Sequence, residues 1–308
     1  MRAVGITSFG GPEALTVVDV PVPEPAAGQV RIKVAAAAVA NFDLVARAGW
    51  LGPMLPAAPL YVFGWDASGT VDAVGPGVVG FAPGDPVVAV SDWLDTKVGT
   101  QAEYVVLDAA ALAAAPSTVD LTEAAALPVN AHTATRALDL LGLEAGQTLA
   151  ITGAGGAVGG FTLELARERG LKVVGLASAR DEEFVTSRDA VYVPRSDDPV
   201  GALRAVAPEG VDAMVDAAAI GPQMVGTVKD GGAFASLTPP KTPEPERGIE
   251  VHRVHMHSDG AELSRLAALV DRGRLTLRVH QTVPFEQAAQ AHEMLAKGGI
   301  RGRLVLIP

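Results

Sequence analysis

Five glycines fall within the ten residues "ITGAGGAVGG" (151–160), directly behind the apolar run Leu149-Ala150-Ile151. Gly153, Gly156 and Gly159 let a backbone turn sharply and come close to a pyrophosphate. A helix opening at Ala157 and Val158 would add its N-terminal N–H groups and the positive end of its dipole. The spacing is G-x-x-G-x-x-G with Gly155 added, so Val158 takes the third-glycine place of the dinucleotide fingerprint G-x-G-x-x-G. A tight structural turn is the alternative for any glycine run. The apolar strand before it and the helical pattern after it favour a bound dinucleotide.

The next apolar run, "LKVVGLA", ends in Ser178-Ala179-Arg180. An NAD site places a carboxylate there to accept the ribose 2′-hydroxyl. A hydroxyl and a guanidinium instead suit a 2′-phosphate, which points to NADPH. Asp181 and Glu182 leave open an ordinary solvated helix start paired with Arg180. Leu237 and Thr238 follow the apolar run "GAFAS" and belong at the carboxyl edge of a sheet, where nucleotides bind.

The elements that must position these residues alternate. Strands are expected at 148–152, 172–177, 190–193, 211–216, 232–236 and 249–256, with helices at 157–169, 199–206 and 221–227. That rhythm, with strands apolar throughout, predicts a parallel sheet covered on both faces. Residues 1–120 read differently, as short strands punctuated by Pro and Gly, with no convincing helix. Asp120 and Glu123 have capping-box spacing ahead of a helical stretch interrupted at Pro128. The Pro-rich "TPPKTPEPE" (238–246) reads as a stiff surface crossing, followed by a helix at 260–273. Three units result: a β-rich domain over 1–120, a cofactor domain over 121–258, and a terminal segment over 259–308.

The chain has 308 residues, 49% hydrophobic and 19% charged, with net charge −11 and no cysteine. Such a chain can bury large cores. Its acidity disfavours nucleic acid or an anionic membrane as the main partner. Without cysteine there is no disulfide, thiolate nucleophile or Cys-ligated zinc. The opening "MRAVGITSFG" lacks the apolar core of a secretory signal, so a cytoplasmic protein is expected. Tyr61, Tyr104 and Tyr192 are followed four positions on by Trp65, Asp108 and Ser196, which excludes the Tyr-x-x-x-Lys of short-chain dehydrogenases.

Five stretches in order, "PAAGQVRIKVAAAAVANFDLVARAG", "GWDASGTVDAVGPGVVGFAPGDPV", "AAALPVNAHTATRAL", "ITGAGGAVGG" and "KGGIRGRLVLIP", carry a resemblance over nearly the whole chain. It is to the zinc-independent quinone oxidoreductase branch of the medium-chain dehydrogenase/reductases. The resemblance implies an α/β architecture: a GroES-like β-rich catalytic domain, completed by the C-terminal segment, and a doubly wound Rossmann domain. It implies an NADPH-dependent enzyme passing hydride to a quinone or enone. The alternatives are an enoyl reductase for a biosynthetic, polyketide-like intermediate, or a low-turnover nucleotide-binding sensor or structural protein. Zinc-dependent relatives carry a Cys-led motif and Gly-His-Glu where this chain has Asn41-Phe42-Asp43 and Gly64-Trp65-Asp66, so no catalytic metal is expected.

By the same resemblance Asn41 is the catalytic hydrogen-bond donor or positioning group, although an Asn at that place also suits a turn before a short helix. Thr133 and Arg303 are carried over as cofactor contacts; by residue type alone they are a helix residue and a surface charge. Trp50 either walls the substrate pocket or packs in the core. His252, His255 and His257 lie on the expected strand 249–256, His255 and His257 on one face. A metal pair there is the lesser reading and a dimer-facing edge the better one. The resemblance implies a homodimer through this edge, which a proline at Val254 should block.

Overall fold

The computed structural model describes residues 1–308 apart from Pro56 and the side chains of Pro53 and Pro239. The chain forms two compact units, 1–129 with 257–308, and 130–256. The first boundary falls at Val129 rather than at residue 120. Asp120 does cap the helix Leu121–Ala124, accepting the Glu123 N–H at 2.8 Å. However, the Ser68 hydroxyl donates to the Leu121 carbonyl, and the Val129 N–H donates to Asp66 Oδ1 at 2.6 Å. A capping signal marks where a helix begins and says nothing about which core it joins.

In the first unit the strand Gln29–Ala38 pairs antiparallel with both Asp66–Val74 and Tyr104–Asp108. Its alternating Val30, Ile32 and Val34 point into a core with Val71, Val87, Ala89, Val105 and Leu107. The sheet continues through Pro86–Val90 and Leu112–Ala114 on one side. On the other it takes the terminal strand Arg303–Ile307, which pairs Val305 with Ala38. Two short helices, Asn41–Arg47 and Trp93–Thr96, contradict the helix-free expectation. Seven and four residues are too few to show a 3.6-residue period. The first is fixed instead by Asp43, whose carboxylate accepts the Ala40 N–H at 2.8 Å.

The second unit is a six-stranded parallel sheet. Its order is Val191–Pro194, Lys172–Ala177, Thr148–Thr152, Val211–Asp216, Val228–Ser236, Glu250–Arg253. This is the doubly wound order 3-2-1-4-5-6, reversing beside the first strand. The expected helix over 221–227 is a 3-10 turn, Pro222–Thr227, entered through Gly221 at φ 88°. The last strand ends at Arg253, so His255 and His257 lie beyond it and strand alternation does not place them on one face. Val254 N–H donates back to Ser236 O at 3.0 Å. A proline at Val254 would therefore break an internal bond and leave the free edge as it was. Among the described residues no helix is long and apolar enough to cross a membrane.

Candidate active site

In the second unit the strand Thr148–Thr152 runs into Gly153 at φ 65°, a left-handed turn that suits glycine. The Gly156 N–H returns to Gly153 O at 2.8 Å and closes the loop. Helix Ala157–Glu168 begins at Gly156 with no side-chain cap. A Cβ added at Gly156 would meet only Gly153 O at 3.1 Å, whereas one at Gly159 would stand 2.1 Å from the same oxygen. Gly159 is thus the glycine that lets helix and loop pack closely, one position later than the fingerprint demands. Ala157 and Val158 form the helix's half-buried first turn, and the N–H groups of such a turn suit a pyrophosphate.

A neighbouring carboxylate braces this loop. Asp216, buried at the end of its strand, accepts the Thr152 hydroxyl at 2.5 Å and the N–H groups of Ile220 (3.1 Å) and Gly221 (2.8 Å). The Thr152 hydroxyl in turn accepts the Ala218 N–H at 3.0 Å. Thr152, Asp216 and Ser236 stand in register across three strands. The glycine loop, the 217–221 loop and Leu237-Thr238 thereby share the carboxyl edge. Sequence reasoning missed Asp216, because a lone Asp after an apolar run reads as a solvated strand end.

The tip of the next strand departs from expectation. The Ser178 hydroxyl donates to Asp181, and Asp181 is buried. A Cβ at Gly155 would lie 2.4 Å from its Cγ, so this carboxylate rests against the glycine loop. Asp181 is no solvated helix start; the loop's missing side chain makes room for it. Arg180 is exposed beside it. Tyr192, two strands from the loop, has a buried hydroxyl with no partner among the described residues. Burial and the charges of Glu182 and Asp181 push its ionisation up. Thr133 is half-buried on helix Pro128–Leu141.

In the first unit Asn41 opens its helix, exposed, and shares a cavity of about 650 Å³ with Leu44, Arg47, Trp50 and Leu295. Trp50 is 79% exposed and lines this cavity, so it is not a core residue. Beneath Asn41 lies fully buried Asp43. Its Oδ1 accepts Trp65 Nε1 at 3.1 Å and the Gly64 N–H at 3.4 Å; its Oδ2 accepts Gln101 Nε2 at 3.1 Å. Burial, aided by the nearby Asp66 charge, lifts the carboxyl from its ordinary 3.8 to about 7, against the pull of the Ala40 N–H, of Arg303 and of the Gly64 N–H. Arg303 is not a surface charge. It is buried and ion-paired to fully buried Asp66, whose own carboxyl is pushed up by burial and held back by Arg303.

Known proteins with the same organisation carry redox names. The Alcohol dehydrogenase GroES-like domain family matches residues 26–117, and the Zinc-binding dehydrogenase family matches residues 186–306. A quinone oxidoreductase of Rattus norvegicus is 30% identical, covering 100% of this chain and 98% of its own. An NADPH-dependent alkenal/one oxidoreductase of Arabidopsis thaliana, chloroplastic, is 29% identical over 100% of this chain and 80% of its own. A solved NAD-dependent alcohol dehydrogenase superposes with TM-score 0.87 at 32% identity, over 100% of both chains. The zinc in one family's description does not fit the residues here. Among the described residues no three or more His, Cys, Asp or Glu side chains form a group that could hold a metal. At the positions concerned, Asp43 is saturated by N–H donors and Asp66 by Arg303 and the Val129 N–H. The chain is an oxidoreductase that uses a nicotinamide cofactor, and it belongs to the medium-chain dehydrogenase/reductases, in their quinone oxidoreductase branch.

Proposed function

We propose that this protein is an NADPH-dependent reductase that delivers hydride to a quinone or an enone without metal, in the cytoplasm. The observation that carries this reading is the glycine turn at Gly153 running into the helix Ala157–Glu168, braced by Asp216, at the carboxyl edge of a doubly wound sheet. A nicotinamide cofactor supplies the hydride at its C4. The chain supplies the rest. The backbone N–H groups of Ala157 and Val158 would hold the pyrophosphate, with the glycine turn giving it close approach, and Arg180 would take the 2′-phosphate. Thr133, Leu237 and Thr238 orient the nicotinamide. The Asn41 amide donates to the acceptor's carbonyl oxygen, where negative charge gathers as hydride arrives. Trp50 forms an apolar wall of the acceptor cavity.

One observation favours a second reading of the cofactor. Asp181 places a carboxylate on the loop, as a ribose 2′-hydroxyl requires, and occupies the Ser178 hydroxyl. Binding constants for NADPH and NADH in Arg180→Ala and Asp181→Asn separate the two. On the NADPH reading Arg180→Ala weakens NADPH by about 10- to 150-fold and leaves NADH nearly unchanged. A selective loss of NADH in Asp181→Asn, with no NADPH effect of Arg180→Ala, would reverse the assignment. Oxidation of the cofactor that depends on added quinones, enones or enoyl thioesters identifies the acceptor; none with any of them would leave only a binding protein.

The sheet edge supports a homodimer. Glu250–Arg253 is an outermost strand, and Val254 N–H points inward, so by alternation the N–H groups of Val251 and Arg253 face out. Two-fold pairing of such edges satisfies both copies. Arg253→Pro should yield a monomer by light scattering; a monomeric unaltered protein at micromolar concentration would defeat the proposal.

A further inference from the structure

We propose that Arg47 forms an anion subsite in the Asn41 cavity, so that the acceptor this protein takes carries a carboxylate. This deepens, and rests on, the reading of that cavity as the acceptor pocket.

Arg47 ends the short helix that Asn41 begins, and it is only 6% exposed. Its Nε and Nη1 are closed to solvent and have no hydrogen-bond partner among the described residues. Its carbonyl is used, accepting the Gly10 N–H at 3.1 Å, but no described carboxylate ion-pairs with the guanidinium. Glu13 is the one acid whose charge acts on it appreciably. That side chain is exposed and turned to the Gly11 N–H, which it accepts at 3.0 Å. Burial of the uncompensated charge pulls the Arg47 ionisation down.

The other polar group nearby does not answer the charge. His292 is fully buried on helix Ala288–Lys297, which also brings Leu295 and Ala296 to the cavity. Both its ring nitrogens lack partners among the described residues. Burial, then the Arg47 charge, lower its pKa to about 3, so it stays neutral. A buried guanidinium with empty donors is costly unless something completes it. Its planar fork matches a carboxylate. Leu44, Val45 and Leu295 line the same cavity as Arg47 and give it apolar wall. Asn41 and Arg47 stand six helical residues apart, about 9 Å along the axis. A molecule with a carbonyl at one end and a carboxylate at the other, joined by a medium-length apolar spacer, spans that separation.

The test compares two acceptors with the intact protein: a vinyl ketone carrying a carboxylate at the far end of a medium-length alkyl chain, and its methyl ester. The acid should be preferred in kcat/KM by about tenfold or more. In Arg47→Met that ratio should fall to near one, and Arg47→Lys, charged but without the fork, should retain part of it. Equal kcat/KM for acid and ester in the unaltered protein would overturn the subsite, whether or not the variants fold. Calorimetry with the corresponding saturated keto acid and keto ester, which cannot be reduced at carbon–carbon bonds, separates this inference from the reductase reading. Binding of the acid alone without turnover of either vinyl ketone would uphold the subsite and remove the enone arm of the reductase reading. Turnover of both with no preference, and no selective binding of the acid, would do the opposite.

Discussion

Arg303 distinguishes what the chain looks like from what it does, and replacing it with methionine gives a test. As a surface charge its loss would change stability by no more than about 0.5 kcal/mol. In the structure its Nη2 pairs with Asp66, and Asp66 is fully buried with one other donor among the described residues, the Val129 N–H at 2.6 Å. Removing one member of such a pair leaves a buried charge uncompensated, a loss of about 3–5 kcal/mol. For a unit of this size each kcal/mol moves Tm by about 2–4 °C, so Arg303→Met should lower it by about 6–20 °C. Trp50, Trp65 and Trp93 all belong to the first unit, so tryptophan fluorescence during melting reports on the unit that holds the pair. The damage should shrink in acid. Burial already raises the Asp66 pKa, and without Arg303 it rises further, so protonation relieves the isolated charge. Asp66→Asn combined with Arg303→Met should cost less than the two single changes added. A Tm within about 2 °C of the unaltered protein at neutral pH would refute the buried-pair account.

Three further outcomes are expected. Asp43 titrates near 7 when folded and near 3.8 otherwise, so its contribution to stability falls as pH rises across that window; His292, at about 3 folded and 6.5 otherwise, contributes stability lost as pH falls from 6.5 toward 3. Where the windows overlap the slopes oppose, so urea unfolding from pH 4 to 6.5 should show stability falling more, or rising less, with pH in His292→Leu than in Asp43→Asn; identical slopes in both variants would contradict the assignment. Gly159→Ala should abolish nucleotide binding, since its Cβ meets Gly153 O at 2.1 Å, while Gly156→Ala, at 3.1 Å, should weaken it less, as calorimetry with NADPH can show. Prolonged chelation should leave Tm and turnover unchanged; stoichiometric zinc lost together with activity would show that ligands outside the expected positions had assembled a site.

The glycine loop and the alternation after residue 147 were legible because both are local. A 3.6-residue period, a strand-long apolar run and a left-handed turn leave marks within a few positions. Other features pair residues far apart in the chain, and spacing carries no trace of them. Asp216 bracing Thr152, Asp181 lying on Gly155 and Arg303 neutralising Asp66 each depend on which strands are neighbours. The same holds for Tyr192 and Arg47, ordinary in sequence and marked in space by donors that the fold encloses without a partner among the described residues. By itself, then, the sequence determined the alternating strands and helices after residue 147, their parallel sheet and the glycine turn behind its first strand, since backbone conformation and burial periodicity are written residue by residue, whereas the joining of 257–308 to the first unit is tertiary. The tertiary structure alone decided which carboxylates are charged, which cations are buried and which side chains line the cavity, because desolvation and pairing depend on neighbours brought together only when the chain has folded.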